Sequence, residues 1–239
     1  MSLFGRQAAQ KPRREEAEKP FWISFSDLMT ALMVLFLVAM TVALLAITNE
    51  ISETEKQKAE RDRNIQQLLQ RLQILARDFP GVEVRGPTID FGERARFETN
   101  SHRLDDAESR LLRAFVPKVL QLARDPLGQQ WLKRISVEGF ADPRGSYLHN
   151  LNLSLQRSER VLCILLASPE AAPDALSEAD RRLVREIFLV SGASFNAPKS
   201  SAEASRRIEL KLEFLERGQQ RETPRAATEE ESRCPLDAR

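Results

Sequence analysis

The sequence predicts an α+β chain made of a single N-terminal transmembrane helix, a juxtamembrane helix and then an α/β sandwich domain. Three observations predict it. Residues 28–47 form a 20-residue apolar run interrupted only by Thr30 and Thr41. A helix of about 20 residues crosses roughly 30 Å, the thickness of a bilayer's hydrocarbon core. Ile65, Leu68, Leu69, Leu72 and Leu75 recur at three- and four-residue intervals, which is the stripe of an amphipathic helix. Ile208, Leu210, Leu212 and Phe214 alternate with Arg207, Glu209, Lys211 and Glu213, the period of a strand with one buried face. Helices would cover that face.

Residues 1–20 are charged and read as a cytoplasmic tail. The apolar run is too long for the core of a signal peptide, and Asn49-Glu50-Ile51-Ser52-Glu53 follows it in place of a small-residue cleavage site. Residues 21–48 therefore read as an uncleaved anchor in the lipid bilayer. Lysines and arginines on the two flanks are nearly balanced, but the nearest residues beyond the run are acidic (Glu50, Glu53 and Glu55). That places the N-terminus in the cytoplasm, with Trp22 at the interface. Residues 49–80 read as a helical linker whose stripe packs either on the following domain or on its own copy in a dimer.

Pro80-Gly81 ends that helix and opens a domain over residues 81–217. Val82 and Val84 alternate, and residues 88–97 are extended. A helix covers residues 105–125, with Pro117 counting against its regularity. Residues 135–139 form a strand that ends in the turn Asp142-Pro143-Arg144-Gly145. Residues 147–167 form a long helix with Leu151, Leu155, Leu162, Leu165 and Leu166 inward. A loop spans 168–175, a short helix starts near Ser177, and Ile187-Phe188-Leu189-Val190 forms a strand before the alternating last one. Residues 218–239 are charged, lack apolar periodicity and read as a disordered tail.

Composition narrows the function. A formal net charge of +1 over 239 residues gives no broad basic surface, so direct nucleic-acid binding is not expected. Cys163 and Cys234 fit no metal or CxxC spacing, and His102 and His149 lack partners at ligand spacing, so no metal site is expected. Cys163 lies in an apolar helical stretch and is expected to be buried and unpaired, although an oxidising compartment would permit a bridge to Cys234. No nucleophile–base set or phosphate loop is present, which argues against an enzyme and against a cofactor.

Two constellations carry chemistry. Asp27 heads the apolar run, where an ionisable group costs about 2.5–3.5 kcal/mol at the bilayer centre and less near the interface. Such a carboxylate faces a partner, a wet cavity or an ion path. The alternative is capping, since Ser24 and Asp27 form an S-x-x-D box before the run. In the second constellation, Asp142 sits on the turn after a strand, with Asn150 and Arg157 on the next helix. A carboxylate and a guanidinium facing one pocket suit a ligand that carries both an ammonium and a carboxylate. An ordinary surface ion pair is the alternative.

The segment VEGFADPRGSYLHNLNLSLQRSERVLCILL resembles the OmpA-like peptidoglycan-binding domain, whose core reads roughly G-x-x-D-x-x-G-x-x-x-x-N-x-x-L-S-x-x-R. Gly139, Asp142, Gly145, Asn150, Leu153, Ser154 and Arg157 match it in register. RARFETNSHRLDDAESRLL resembles that family's opening, and ASRRIELKLEF its last segment, with Ser205 in place of the usual Asn. The resemblance implies that Asp142 and Arg157 hold the diaminopimelate of the wall peptide, with Asn150, Leu153, Arg206 and Arg207 completing the peptidoglycan site.

FWISFSDLMTALMVLFLVAM resembles the ion-carrying helix of MotB-type stator subunits, and is similar to the ZorB-type branch of Zorya anti-phage systems. The resemblance implies an inner-membrane motor. A homodimer would be surrounded by a pentameric multi-span MotA/ZorA-like partner, Asp27 would bind the translocated H⁺ or Na⁺, and a periplasmic domain would grip peptidoglycan. A flagellar MotB-type stator and a passive peptidoglycan tether remain open as alternatives.

Overall fold

A computed structural model of the chain describes residues 18–216, 218–221 and 234–237, with the side chains of residues 18–21, 23 and 24 left aside. The chain divides into two units, at Gln57 and Lys58. The expected cytoplasmic tail lies outside the described residues up to position 17.

The described part of the first unit is helix. Helix α1 (Glu18–Ala76) begins well before Asp27 and runs without a break through the apolar segment. It is the one helix among the described residues that is long and apolar enough to cross a membrane. Leu35 and Phe36 are 68% and 66% exposed, as expected of side chains that meet lipid rather than protein. The polar interruptions are satisfied locally. Thr30 Oγ1 donates to Ser26 O at 2.8 Å and Thr48 Oγ1 to Leu44 O at 2.7 Å, and Thr41 bonds Leu37 O in the same way.

The early start of α1 corrects the capping reading of Asp27. Capping needs a carboxylate beside backbone N–H groups that lack a partner, and those occur only in a helix's first turn. At residue 27 the intrahelical bonds are already running.

The second unit is the sandwich. Strands β1 (Glu83–Arg85), β2 (Thr88–Asp90), β3 (Leu132–Gly139), β4 (Phe188–Gly192) and β5 (Ile208–Phe214) form one sheet in the order β1-β2-β5-β3-β4. Only the β3–β4 pair is parallel. Helix α2 (Asp106–Arg124) opens with a capping box, in which Asp105 accepts from Glu108 N at 2.7 Å and Glu108 accepts from Asp105 N at 2.8 Å. Pro117 is accommodated inside it. Helix α4 (Tyr147–Leu166) packs on β3 and β4, and α2 and α5 (Glu178–Ile187) pack beside it.

Two short helices escaped the sequence reading: α3 (Pro126–Trp131), which has Pro126 at its first position, and α6 (Ala202–Ser205). Ile89, Phe91, Leu112, Phe115, Leu120, Ile135, Leu165 and Leu210 fill the core. Phe79 and Phe91 meet Phe115 edge-on at 5.1 and 5.5 Å.

The apolar stripe of α1 is settled by packing. Leu68, Leu69, Leu72 and Ala76 are buried, and Leu72 and Ala76 belong to the core of this unit. Arg61 Nε donates to Leu215 O at 2.9 Å, tying the same stretch to the end of β5.

Three expectations need correction. The buried residues of α4 are Asn150, Leu153, Ser154, Arg157, Ser158, Val161, Ile164 and Leu165; Leu162, Leu165 and Leu166 meet the core as expected, but Leu155 is 40% exposed and Leu151 half-buried. The helix is rotated toward its polar residues because neighbouring carbonyls and N–H groups satisfy them. Cys163 is not a free thiol but is bonded to Cys234. Parts of the expected disordered tail are docked, at both ends of a segment (222–233) that lies outside the described residues. Arg221 donates to Leu132 O and Gly128 O, at 3.0 and 2.9 Å, and Leu236 is buried in a 3₁₀ turn, Pro235–Asp237. Apolar periodicity has little to report in so short a piece, since a covalent bond and an Arg160–Asp237 ion pair at 2.8 Å hold it.

Candidate functional site

The site lies where β3 ends. Beyond Gly139 the chain continues the sheet's hydrogen bonding with irregular segments: Phe140 N donates to Arg207 O at 3.0 Å, Ala141 N to Ser194 O at 2.8 Å and Phe97 N to Arg206 O at 3.1 Å. Four stretches far apart in sequence are thereby zipped together beside the N-terminus of α4. Gly139 permits the close approach of that helix, because a Cβ there would lie 1.9 Å from Ser154 O. Ser154 Oγ in turn accepts from Ser194 N at 3.1 Å.

Asp142 follows on the turn and is buried, 7% exposed. Its Oδ1 accepts from the backbone N of Arg144 at 3.1 Å and from Arg144 Nε at 2.9 Å, and its Oδ2 from Arg144 Nη2 at 2.8 Å and Arg206 Nη1 at 3.2 Å. Bonding from the Arg144 side chain, more than anything else, holds the Asp142 carboxyl well below its ordinary range. Asn150 Nδ2 donates to Arg144 O at 2.8 Å, and Gly145, at φ +95°, supplies a backbone conformation that side chains disfavour. Asn150 is thus a turn-holder.

Arg157 is fully buried and makes no bond to Asp142. Its Nε, Nη1 and Nη2 donate to Ser101 O at 3.0 Å, Phe140 O at 2.7 Å and Glu98 O at 3.2 Å, and its guanidinium lies 4.9 Å from the Phe97 ring centroid. Burial first, and then the nearby charge of Arg206, lowers its pKa to about 10, so it stays charged at neutral pH. Three of its five N–H donors are engaged in these bonds.

Arg206 joins the cluster, its Nε bonded to Phe97 O at 2.8 Å. Arg207 does not. It turns to Glu209 at 2.6 Å and Ala197 O at 3.2 Å, and lies 4.0 Å above the Phe140 ring. Leu153 is buried. Sequence reasoning missed Arg144 as a member of the site; its signal was its place two residues after Asp142 in a tight turn.

Asp27 stands in the other unit, on a face of α1 shared with Thr30, Ala31, Val34 and Val38. No cluster of three or more His, Cys, Asp or Glu suited to a metal occurs among the described residues.

Residues 6–60 match the family described as membrane MotB of the proton-channel complex MotA/MotB. A Zorya protein ZorB from Escherichia coli O139:H28 (strain E24377A / ETEC) is 44% identical over 217 residues, covering 89% of this chain and 88% of its own length. The chain belongs to the ZorB family. The stretch of this ZorB-family chain that aligns is long enough to include parts of both units.

Among solved structures, the periplasmic domain of MotB is 12% identical, over 57% of this chain and 69% of that one, with a TM-score of 0.39. A cell wall anchor of the T6SS from Pseudomonas aeruginosa is 20% identical, over 61% and 98%, with a TM-score of 0.39.

Proposed function

We propose that this ZorB-family chain is the wall-anchored subunit of an ion-driven inner-membrane motor acting in anti-phage defence. The single observation that carries the reading is the relative 44% identical across both units, joined with the MotB-type match over residues 6–60. In this reading two copies pair within a pentameric multi-span MotA/ZorA-like partner, with the N-terminus cytoplasmic and the sandwich periplasmic. Asp27 takes up and releases H⁺ or Na⁺ on the face it shares with Thr30, Ala31, Val34 and Val38. One charge crossing the membrane delivers about 2.3 kcal/mol per 100 mV, enough to change which contacts the helix makes with its partner.

The sandwich supplies the fixed point. Asp142, braced by Arg206, accepts from the ammonium of a diaminopimelate side chain, and the positive charge of Arg157, fixed by three backbone carbonyls, attracts its carboxylate. Asn150 and Leu153 hold the turn and the helix that present them. Arg207 supports Phe140 from outside the cluster. The test uses Asp27→Asn and Asp142→Asn in cells, with the assembled complex quantified in membranes. Both variants should assemble normally and lose phage protection. Protection retained by Asp27→Asn at normal assembly would overturn the ion path.

The MotB-type match also favours a second reading, a flagellar stator using the same parts. Deletion would then abolish swimming and leave phage sensitivity unchanged.

A further inference from the structure

The Asp142 carboxylate already has four donors in this structure, two of them from one guanidinium. Four is about as many as a carboxylate accepts, so no ligand ammonium reaches it unless a donor leaves. The four donors differ in how firmly they are held. The backbone N of Arg144 is fixed by the turn, because Asn150 Nδ2 grips Arg144 O at 2.8 Å. Arg206 is 7% exposed and is held a second time by Phe97 O at 2.8 Å. The Arg144 side chain is different: it is 60% exposed, and among the described residues its only bond beyond Asp142 is from Nη2 to Thr99 Oγ1 at 3.3 Å. It can swing into water without moving the turn.

We infer that Arg144 is a built-in competitor for the ammonium subsite at Asp142, a displaceable cation that sets the affinity and selectivity of wall binding. The inference rests on the reading of Asp142 as the carboxylate that receives the wall peptide's ammonium. In the free state the Arg144 guanidinium occupies both carboxylate oxygens. An incoming ammonium takes over the two positions held by Nε and Nη2, while the backbone N–H and Arg206 Nη1 stay in place. Only a ligand that brings a cation to Asp142 and an anion to nearby donors offsets the loss of the bidentate pair. A ligand offering a cation alone exchanges one charge-assisted contact for another and gains little. Selection for a group bearing both charges follows.

The test measures binding of the detergent-solubilised 239-residue chain to purified diaminopimelate-type sacculi by cosedimentation, and to a free diaminopimelate tripeptide by calorimetry. Arg144→Ala should bind about two- to tenfold more tightly than the parent, the range expected for removing a largely exposed ion pair that competes with the ligand. The same variant should discriminate less against a simple alkyl ammonium. Arg144→Gln, which keeps a polar hydrogen-bonding side chain but neither the charge nor the bidentate fork, should behave alike. Unchanged or weaker binding by both variants, with Asp142→Asn abolishing binding, overturns the competitor role and leaves the site assignment standing. Binding that survives Asp142→Asn overturns the site itself.

Discussion

Arg206 Nη1 lies 3.2 Å from Asp142 Oδ2, a buried ion pair between residues 64 positions apart that joins the end of α6 to the turn after β3. Both side chains are less than a tenth exposed. Removing one partner of such a pair leaves an uncompensated charge in a poorly solvated place. Asp142→Ala should therefore cost about 3 kcal/mol of stability in addition to any binding defect, measured by urea unfolding. A cost near zero would mean that Arg206 finds another acceptor.

The same pair shapes the response to acid. The Asp142 carboxyl titrates below its ordinary value of 3.8 in the folded protein, chiefly because of the Arg144 side chain, with Arg206 adding to the effect and burial opposing it. Since the folded value lies below the unfolded one, the folded state holds fewer protons. Its contribution is complete above the unfolded value and is lost as pH falls toward the folded one. Urea midpoints should thus fall between about pH 5 and pH 2, and less steeply in Asp142→Asn. A residual slope should remain from Asp90. Burial pushes that carboxyl up, but bonding from Lys199 and from Gly92 N outweighs it, so the net shift is downward.

Arg157 holds three carbonyls with a planar fork, and a lysine cannot reproduce that. Arg157→Lys should leave at least one of the Glu98, Ser101 and Phe140 carbonyls buried without a donor, at a cost of about 1–3 kcal/mol. Amide exchange should rise first in residues 98–101, the loop that those bonds secure.

Gly139→Ala should be among the most damaging small substitutions. The new methyl would meet Ser154 O at 1.9 Å, so α4 must move away from β3. Overpacking of this kind costs about 3 kcal/mol, and the displaced helix carries Asn150 and Arg157 with it. Wall binding and melting temperature should fall together.

The Cys163–Cys234 bond closes a stretch of 71 positions and fastens the last described residues to α4. Cys234→Ser, or reduction of the parent, should lower stability by about 2–4 kcal/mol and expose the C-terminal segment to limited proteolysis. Equal protease resistance in both redox states would show that Leu236 and the Arg160–Asp237 pair suffice to hold it.

The span, the alternating last strand and helix α2 were legible because each has an apolar run or period confined to one short stretch. The buried face of α4 was not. Leu151 and Leu155 read as inward on hydropathy, yet Asn150, Ser154, Arg157 and Ser158 are the more deeply buried. Partners supplied by other segments, such as Ser194 N for Ser154 and the Glu98 carbonyl for Arg157, make the polar face the better one to bury. Motif spacing still placed Asp142 on the turn after a strand and Arg157 on the next helix, since spacing depends on those elements rather than on hydropathy.

By itself the sequence determined a lipid-length helix with one carboxylate near its head and a sandwich with an Asp–Arg turn, because those features follow from local periodicity and spacing. Tertiary structure decided how the charges are shared. It gave Asp142 to Arg144 and Arg206, gave Arg157 to three backbone carbonyls, sent Arg207 to Glu209 and joined Cys163 to Cys234. Which cation neutralises which anion depends on distances between segments remote in sequence, and those exist only once the sheet has closed.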